Sequence, residues 1–187
     1  MVSQIKENRL NYWGMLLQNP FFEDGYFKRG YMKKYSNDNY LALSRKECEG
    51  IFFNFKFDAR DIGDNRSPDG PYVAVELTLH SKNDDKLPIY THLEQRRISI
   101  KNQLDSLERE FDAVLYYNPK FQIKSHLATG SQKEYTTCVS GIQLCKFDLD
   151  FKDESHFEEA CEFHLKCMPK FKSVLESELK LIMGELI

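Results

Sequence analysis

The stretch Ile51-Phe52-Phe53-Asn54-Phe55-Lys56-Phe57 decides the fold class. Ile51, Phe53, Phe55 and Phe57 recur at every second position, and side chains two apart share one face of a strand. Phe52, Asn54 and Lys56 take the opposite face, so the segment predicts a half-buried strand of an antiparallel sheet. Residues 72–80 repeat the alternation, with Val73, Val75, Leu77 and Leu79 inward. The loop between them is marked by Gly63, Pro68 and Gly70, and a shorter strand is expected over 40–45.

Outward from these strands the hydrophobic period lengthens to that of a helix. Ile5, Arg9, Tyr12, Trp13, Leu16 and Leu17 recur at three- and four-residue spacing, with Ser3 as N-cap and Asn19-Pro20 as stop. One long helix is expected from Pro88 to about Phe111, striped by Leu93, Ile100, Leu104, Leu107 and Phe111. Four strands should follow, over 113–117, 121–127, 134–139 and 143–151, the first two turning at Asn118-Pro119. In the last of them Cys145, Phe147, Leu149 and Phe151 should form the buried face. Ser155-x-x-Glu158 reads as a capping box opening a terminal helix that Pro169 should kink or break. The order is α-βββ-α-ββββ-α, a single α+β domain over residues 1–187, with helices packed on one face of an antiparallel sheet.

Composition narrows function by exclusion. The net charge of -3 over 187 residues rules out a uniformly basic nucleic-acid coat, so any polyanion site must be a local patch. No run approaches 18 apolar residues and the N-terminus lacks an apolar leader, so a cytoplasmic protein with no membrane partner is expected. Five cysteines at loose spacing (Cys48, Cys138, Cys145, Cys161 and Cys167) read as reduced thiols. Cys161-x2-His164-x2-Cys167 invites zinc, but on a helix the two thiols point about 120° apart, so small buried hydrophobes are the better reading. Cys138 and Cys145 would face each other across a turn at Ser140-Gly141. Sequence signatures of zinc proteases, nucleophile elbows, P-loops and dinucleotide-binding turns are missing.

The strongest local signal is Tyr26-Phe27-Lys28-Arg29-Gly30-Tyr31-Met32-Lys33-Lys34-Tyr35, which holds four cations, four aromatics and no acid. Cations neutralise phosphates and aromatic faces stack on unpaired bases, which makes Lys28, Arg29, Tyr31, Lys33 and Lys34 candidate nucleic-acid contacts. A solvated loop with its rings packed on the core is the plainer alternative. Arg96, Arg97 and Lys101 on the central helix, with Lys120 and Lys124 on the strands after it, would extend the patch. Arg97 falls inside the apolar stripe, so it should either snorkel to the helix edge or pair with a carboxylate such as Glu76.

Asp58 and Glu76 support a second class. A restriction-endonuclease-like nuclease holds Mg²⁺ between an Asp on one strand and a Glu-x-Lys on the next, and the Lys polarises the attacking water. Here Thr78 stands where that Lys belongs. Asp58, Asp61, Asp64 and Asp69 lack the spacing of a calcium loop, and Arg60 and Arg66 interleave with them.

Asn8-Arg9-Leu10-Asn11-Tyr12-Trp13, Val73-Ala74-Val75-Glu76-Leu77 and the helix over 100–111 carry a family resemblance. The first is similar to an opening Arg-x-x-Phe-Trp signature, with Tyr12 at an aromatic position. The chain thereby resembles the prokaryotic and viral group called domain of unknown function 4268 over nearly its whole length. That resemblance implies a genome-defence or phage setting and no catalytic residues. The expectation is a noncatalytic recognition module without cofactor, binding nucleic acid or a protein partner. A host-enzyme inhibitor would be the protein-binding form, and the sheet face or terminal helix offers a route to a homodimer. The alternative is a divalent-metal nuclease, intact or degenerate, using Asp58 and Glu76.

Overall fold

A computed structural model describes residues 4–22, 40–44, 50–58, 71–81, 86–125 and 135–185. Helix α1 (Gln4–Leu17) and a short 3-10 turn (Pro20–Phe22) precede strands β1 (Tyr40–Ser44), β2 (Ile51–Asp58) and β3 (Tyr72–Ser81). Helices α2 (Leu87–Gln95) and α3 (Arg97–Phe111) lead to strands β4 (Val114–Ser125) and β5 (Tyr135–Phe147), and helix α4 (Phe157–Glu185) follows. The strands form one antiparallel sheet in the order β1-β2-β3-β5-β4. The α+β class is as the alternation predicts, with the helices on one face.

That face is the main core. Phe53, Phe55, Phe57, Val73, Val75, Leu77, Leu79, Ile142 and Leu144 are buried there. Phe171 of α4 meets Phe53 edge-on, and Tyr12 of α1 meets Phe57 at 4.7 Å between ring centroids. His164 on α4 ties two helices, α4 and α1, to the sheet. Its Nε2–H points at the carbonyl oxygens of Lys56 (3.0 Å) and Ala74 (3.1 Å), and its Nδ1 accepts from the Tyr12 hydroxyl at 2.6 Å. Complete burial pushes the imidazole pKa down to about 3, so it is held neutral in this tautomer. Asn8 of α1 donates to the carbonyl oxygens of Phe151 and Lys152, fixing the chain before α4.

Several expected boundaries are corrected. The single helix over 88–111 is two, parted at Arg96. The break turns Arg97 out of the stripe that Leu93, Ile100, Leu104 and Leu107 continue to bury. The four strands expected after it are two long ones. Asn118-Pro119 is a register shift within β4 rather than a turn, which proline tolerates because β4 is an edge strand and need not donate outward. Ser140-Gly141 also lies inside a strand, so Cys138 and Cys145 stand seven residues apart along β5 and do not face each other. A Cβ on Gly141 would sit 2.7 Å from the Leu77 carbonyl oxygen, so close strand approach accounts for that glycine. Pro169 leaves α4 unbroken: Cys167, Met168 and Phe171 on either side of it are fully buried and hold the helix across the lost hydrogen bond. Ser155 lies in a 3-10 turn, where its backbone N–H donates to Asp153 at 2.9 Å, so Asp153 supplies the cap.

Candidate functional site

The face of the sheet turned away from the helices holds what chemistry the described residues concentrate. Register aligns Asn54 on β2, Glu76 on β3, Gln143 on β5 and Tyr116 on β4 in one row across four strands. Side chains two apart share a face, so Lys56, Thr78 and His80 join this row's side, as do Tyr72, Cys145 and Phe147.

Glu76 is the centre of the row and is only 7% exposed. Its Oε1 accepts from Gln143 Nε2 at 2.5 Å and its Oε2 from Asn54 Nδ2 at 3.3 Å. Asn54 Nδ2 also donates to Thr78 Oγ1 at 2.6 Å, and the Cys145 thiol lies 3.8 Å from Gln143 Oε1. Each of these polar groups is buried, and each finds a partner in the row, which is what makes burial affordable. Burial pushes the Cys145 thiol far above the ordinary range, so it is no nucleophile. His80, against the Phe52 ring at 5.0 Å, is lowered by burial and partly raised again by the Glu76 charge.

Beside the polar row lies a small second core of Tyr72, Ala74 and Cys145, with Tyr116 and Phe147 packed on it. Lys56 reaches over the Tyr72 ring, its Nζ 5.2 Å from the centroid. Tyr72 and Phe147 are 6.4 Å apart, and Phe147 meets Tyr116 edge-on at 6.0 Å. Phe52, His80, Tyr116 and Phe147 are half-buried, so they form an accessible aromatic rim around a buried polar centre.

The residues singled out from the sequence fall in three places. Lys28, Arg29, Tyr31, Lys33 and Lys34 lie outside the described residues, as do Asp61, Asp64 and Asp69. Lys124 is paired with Thr136 in the β4–β5 ladder. Arg96, Arg97 and Lys101 belong to the helical layer, away from Glu76. There Arg96 bonds the buried Glu178 carboxylate at 3.0 Å, and Lys101 bonds Glu108 at 3.1 Å. Arg97 stands over the Tyr117 ring at 5.7 Å, at the edge as snorkelling predicts and not opposite Glu76. These three cations are thus taken up within the helical layer.

Asp58 pairs with Tyr72 while Glu76 pairs with Asn54. The two acids are therefore four residues apart along the ribbon, about 13 Å at the strand rise. Register therefore does not set the two acids side by side, as a shared ion site would need. Among the described residues no group of three His, Cys, Asp or Glu could hold a metal ion. In the Cys161-His164-Cys167 run both ring nitrogens of His164 are engaged by Tyr12 and the sheet.

Sequence reasoning missed Lys56 and Gln143 as site residues. A signal for the first existed: Lys56 lies in a phenylalanine run at a position whose parity opposes the core. Gln143 had none, because its strand was expected to bury Cys145 and Phe147 toward the helices, and Ile142 and Leu144 face them instead. Among the described residues no helix is long and apolar enough to cross a membrane. No family model, curated protein or solved structure matches the chain.

Proposed function

We propose that the chain is a noncatalytic recognition module that takes a single-stranded nucleic acid across the sheet face turned away from the helices. The observation that carries this reading is the rim of half-buried rings, Phe52, His80, Tyr116 and Phe147, around the Asn54–Glu76–Gln143 row. Aromatic faces stack on unpaired bases, and a sheet presents such rings at regular spacing. The basic-aromatic stretch from Tyr26 to Tyr35 supplies phosphate-neutralising charge of the kind such binding needs. A genome-defence or phage setting, implied by the family resemblance, belongs to the same proposal. Asp58 and Glu76 standing about 13 Å apart along the ribbon favours binding without cleavage over the nuclease alternative.

The test is binding of labelled single- and double-stranded DNA and RNA at low and moderate salt, with Mg²⁺ and with EDTA. Salt-sensitive binding of single strands without cleavage is expected. Tyr116→Ala and Phe147→Ala should each weaken it by about 1–3 kcal/mol, the worth of one stacked base. Mg²⁺-dependent cutting that Glu76→Ala abolishes would replace this reading with the nuclease. Failure to bind any nucleic acid would leave a protein as the partner to seek.

A further inference from the structure

In the helical layer, two phenol hydroxyls are buried without a hydrogen-bond partner among the described residues. Tyr90 of α2 is only 2% exposed, and Tyr117 of β4 lies opposite Ile142 on the helix side of the sheet. An unpaired buried hydroxyl is destabilising, and a phenylalanine at either position would fill the space without that cost. Arg97, the first residue of α3, closes the same corner, its guanidinium 5.7 Å from the Tyr117 ring centroid. Burial, seconded by Glu94, pushes the Tyr90 hydroxyl up to about 12, and burial pushes Tyr117 further still. The Arg97 charge opposes the rise at both, and Tyr90 acts on Tyr117, as neighbours in one corner would.

The acceptors nearby are spent. Glu178 receives Arg96 through both its oxygens. Glu108 receives Lys101 through both of its own, and the Leu115 N–H through one. Glu94, three residues before Arg97, is exposed and forms no ion pair with it. Three donor groups from α2, β4 and the start of α3 thus share one corner with no acceptor left for them.

We infer that Tyr90, Tyr117 and Arg97 form a binding site for a phosphate-type oxyanion, inorganic or carried as a monoester on a small molecule. A guanidinium offers paired N–H groups to two oxygens, and each phenol offers one O–H to another. Donors arriving from three elements suit a tetrahedral anion better than a planar carboxylate. Arg97 is exposed and is held, among the described residues, by a ring face alone, so its side chain can swing off Tyr117 to admit the anion. The site lies on the helix side of the sheet and does not depend on the nucleic-acid reading.

The experiment titrates inorganic phosphate, a nucleoside monophosphate and acetate separately into wild type, Tyr90→Phe, Tyr117→Phe and Arg97→Gln by calorimetry at constant ionic strength. Thermal melting is recorded with the same additions against chloride. Phosphate should bind wild type saturably and raise its melting temperature more than chloride or acetate does. Each variant should weaken phosphate binding about tenfold, the worth of one hydrogen bond to a charged group. Without phosphate, both phenylalanine variants should melt at or above wild type, since each loses only an unpaired hydroxyl. Tighter binding of the monophosphate would make the ligand an organic phosphate, and equal binding a free anion; both outcomes support the site.

The inference is overturned if wild type binds no phosphate. It falls equally if phosphate raises the melting temperature of wild type and all three variants alike, the mark of a general salt effect. Phenylalanine variants that melt lower than wild type yet bind phosphate unchanged would show the hydroxyls already paired in solution, and would overturn it too. Acetate bound as tightly as phosphate would sink the tetrahedral assignment.

Discussion

Strands β2, β3 and β5 bury two different interiors on their two sides. Toward the helices they offer Phe53, Phe55, Phe57, Val75, Leu77, Ile142 and Leu144. On the other side the same strands bury Asn54, Glu76, Thr78 and Gln143 at comparable depth. The first interior is stabilised by area removed from water, which is non-directional and tolerant of small shifts. The second is stabilised only if every donor meets its acceptor, so it fixes side-chain geometry but adds little net free energy. A molecule that needs only stability has no use for the second kind.

The comparison breaks most visibly at its extremes. Phe55→Ala, on the helix side, should cost about 3–5 kcal/mol in urea unfolding, because the cavity lies between β2, Phe22 and His164 and cannot collapse. A loss under 1 kcal/mol would mean that this core is looser than its burial implies.

Acid should act through the helix side as well. The folded imidazole of His164 is held down to about 3, while an unfolded histidine takes its proton near 6.5. Below about 6.5 the unfolded chain therefore binds the extra proton, so stability is whole above that pH and is lost as pH falls toward about 3. The slope from this one group approaches about 1.4 kcal/mol per pH unit. His164→Gln keeps a donor and an acceptor but cannot titrate. Its urea midpoint, compared with wild type between pH 7.5 and 5, should change less. Parallel curves would show that His164 titrates near its ordinary value.

On the polar side the expected effects shrink. Glu76→Ala strips the Gln143 and Asn54 amides of a shared acceptor and should cost about 1–3 kcal/mol by the same unfolding measurement. Glu76→Gln should cost less, since one amide pairing can be kept by rotating the group. If the two variants were equally destabilised, the negative charge itself and not the hydrogen bonding would be what the row requires. At the small end, Arg109→Ala removes an exposed pairing with Asp105 on α3 that touches neither interior. It should stay within about 0.5 kcal/mol of wild type.

The strands at 51–57 and 72–80 were legible because alternation is a local signal: the parity of Phe53, Phe55 and Phe57 leaves the chain no other buried face. Tyr12, Trp13 and Leu16 were legible as the inward face of α1 for the same reason at helical period. The misreadings share a cause. Asn118-Pro119 and Ser140-Gly141 look like turns, yet one is a bulge on an edge strand and the other a point of close strand contact. Pro169 looks like a break, yet burial on both sides carries α4 through it. Arg97 looks misplaced until α2 and α3 part at Arg96 and release it.

Of the site, the sequence determined which residues share a face: the period of two set Asn54 and Lys56 opposite the phenylalanines before any contact existed. It could not tell that Glu76 would lie between Asn54 and Gln143, that Asp58 would fall four residues away, or that Lys56 would lie over the Tyr72 ring. Those facts belong to strand order and register, which join residues 54, 76 and 143 across the chain. Register is a property of the whole sheet, fixed when all the strands bury their apolar faces together, so only the tertiary structure decided it.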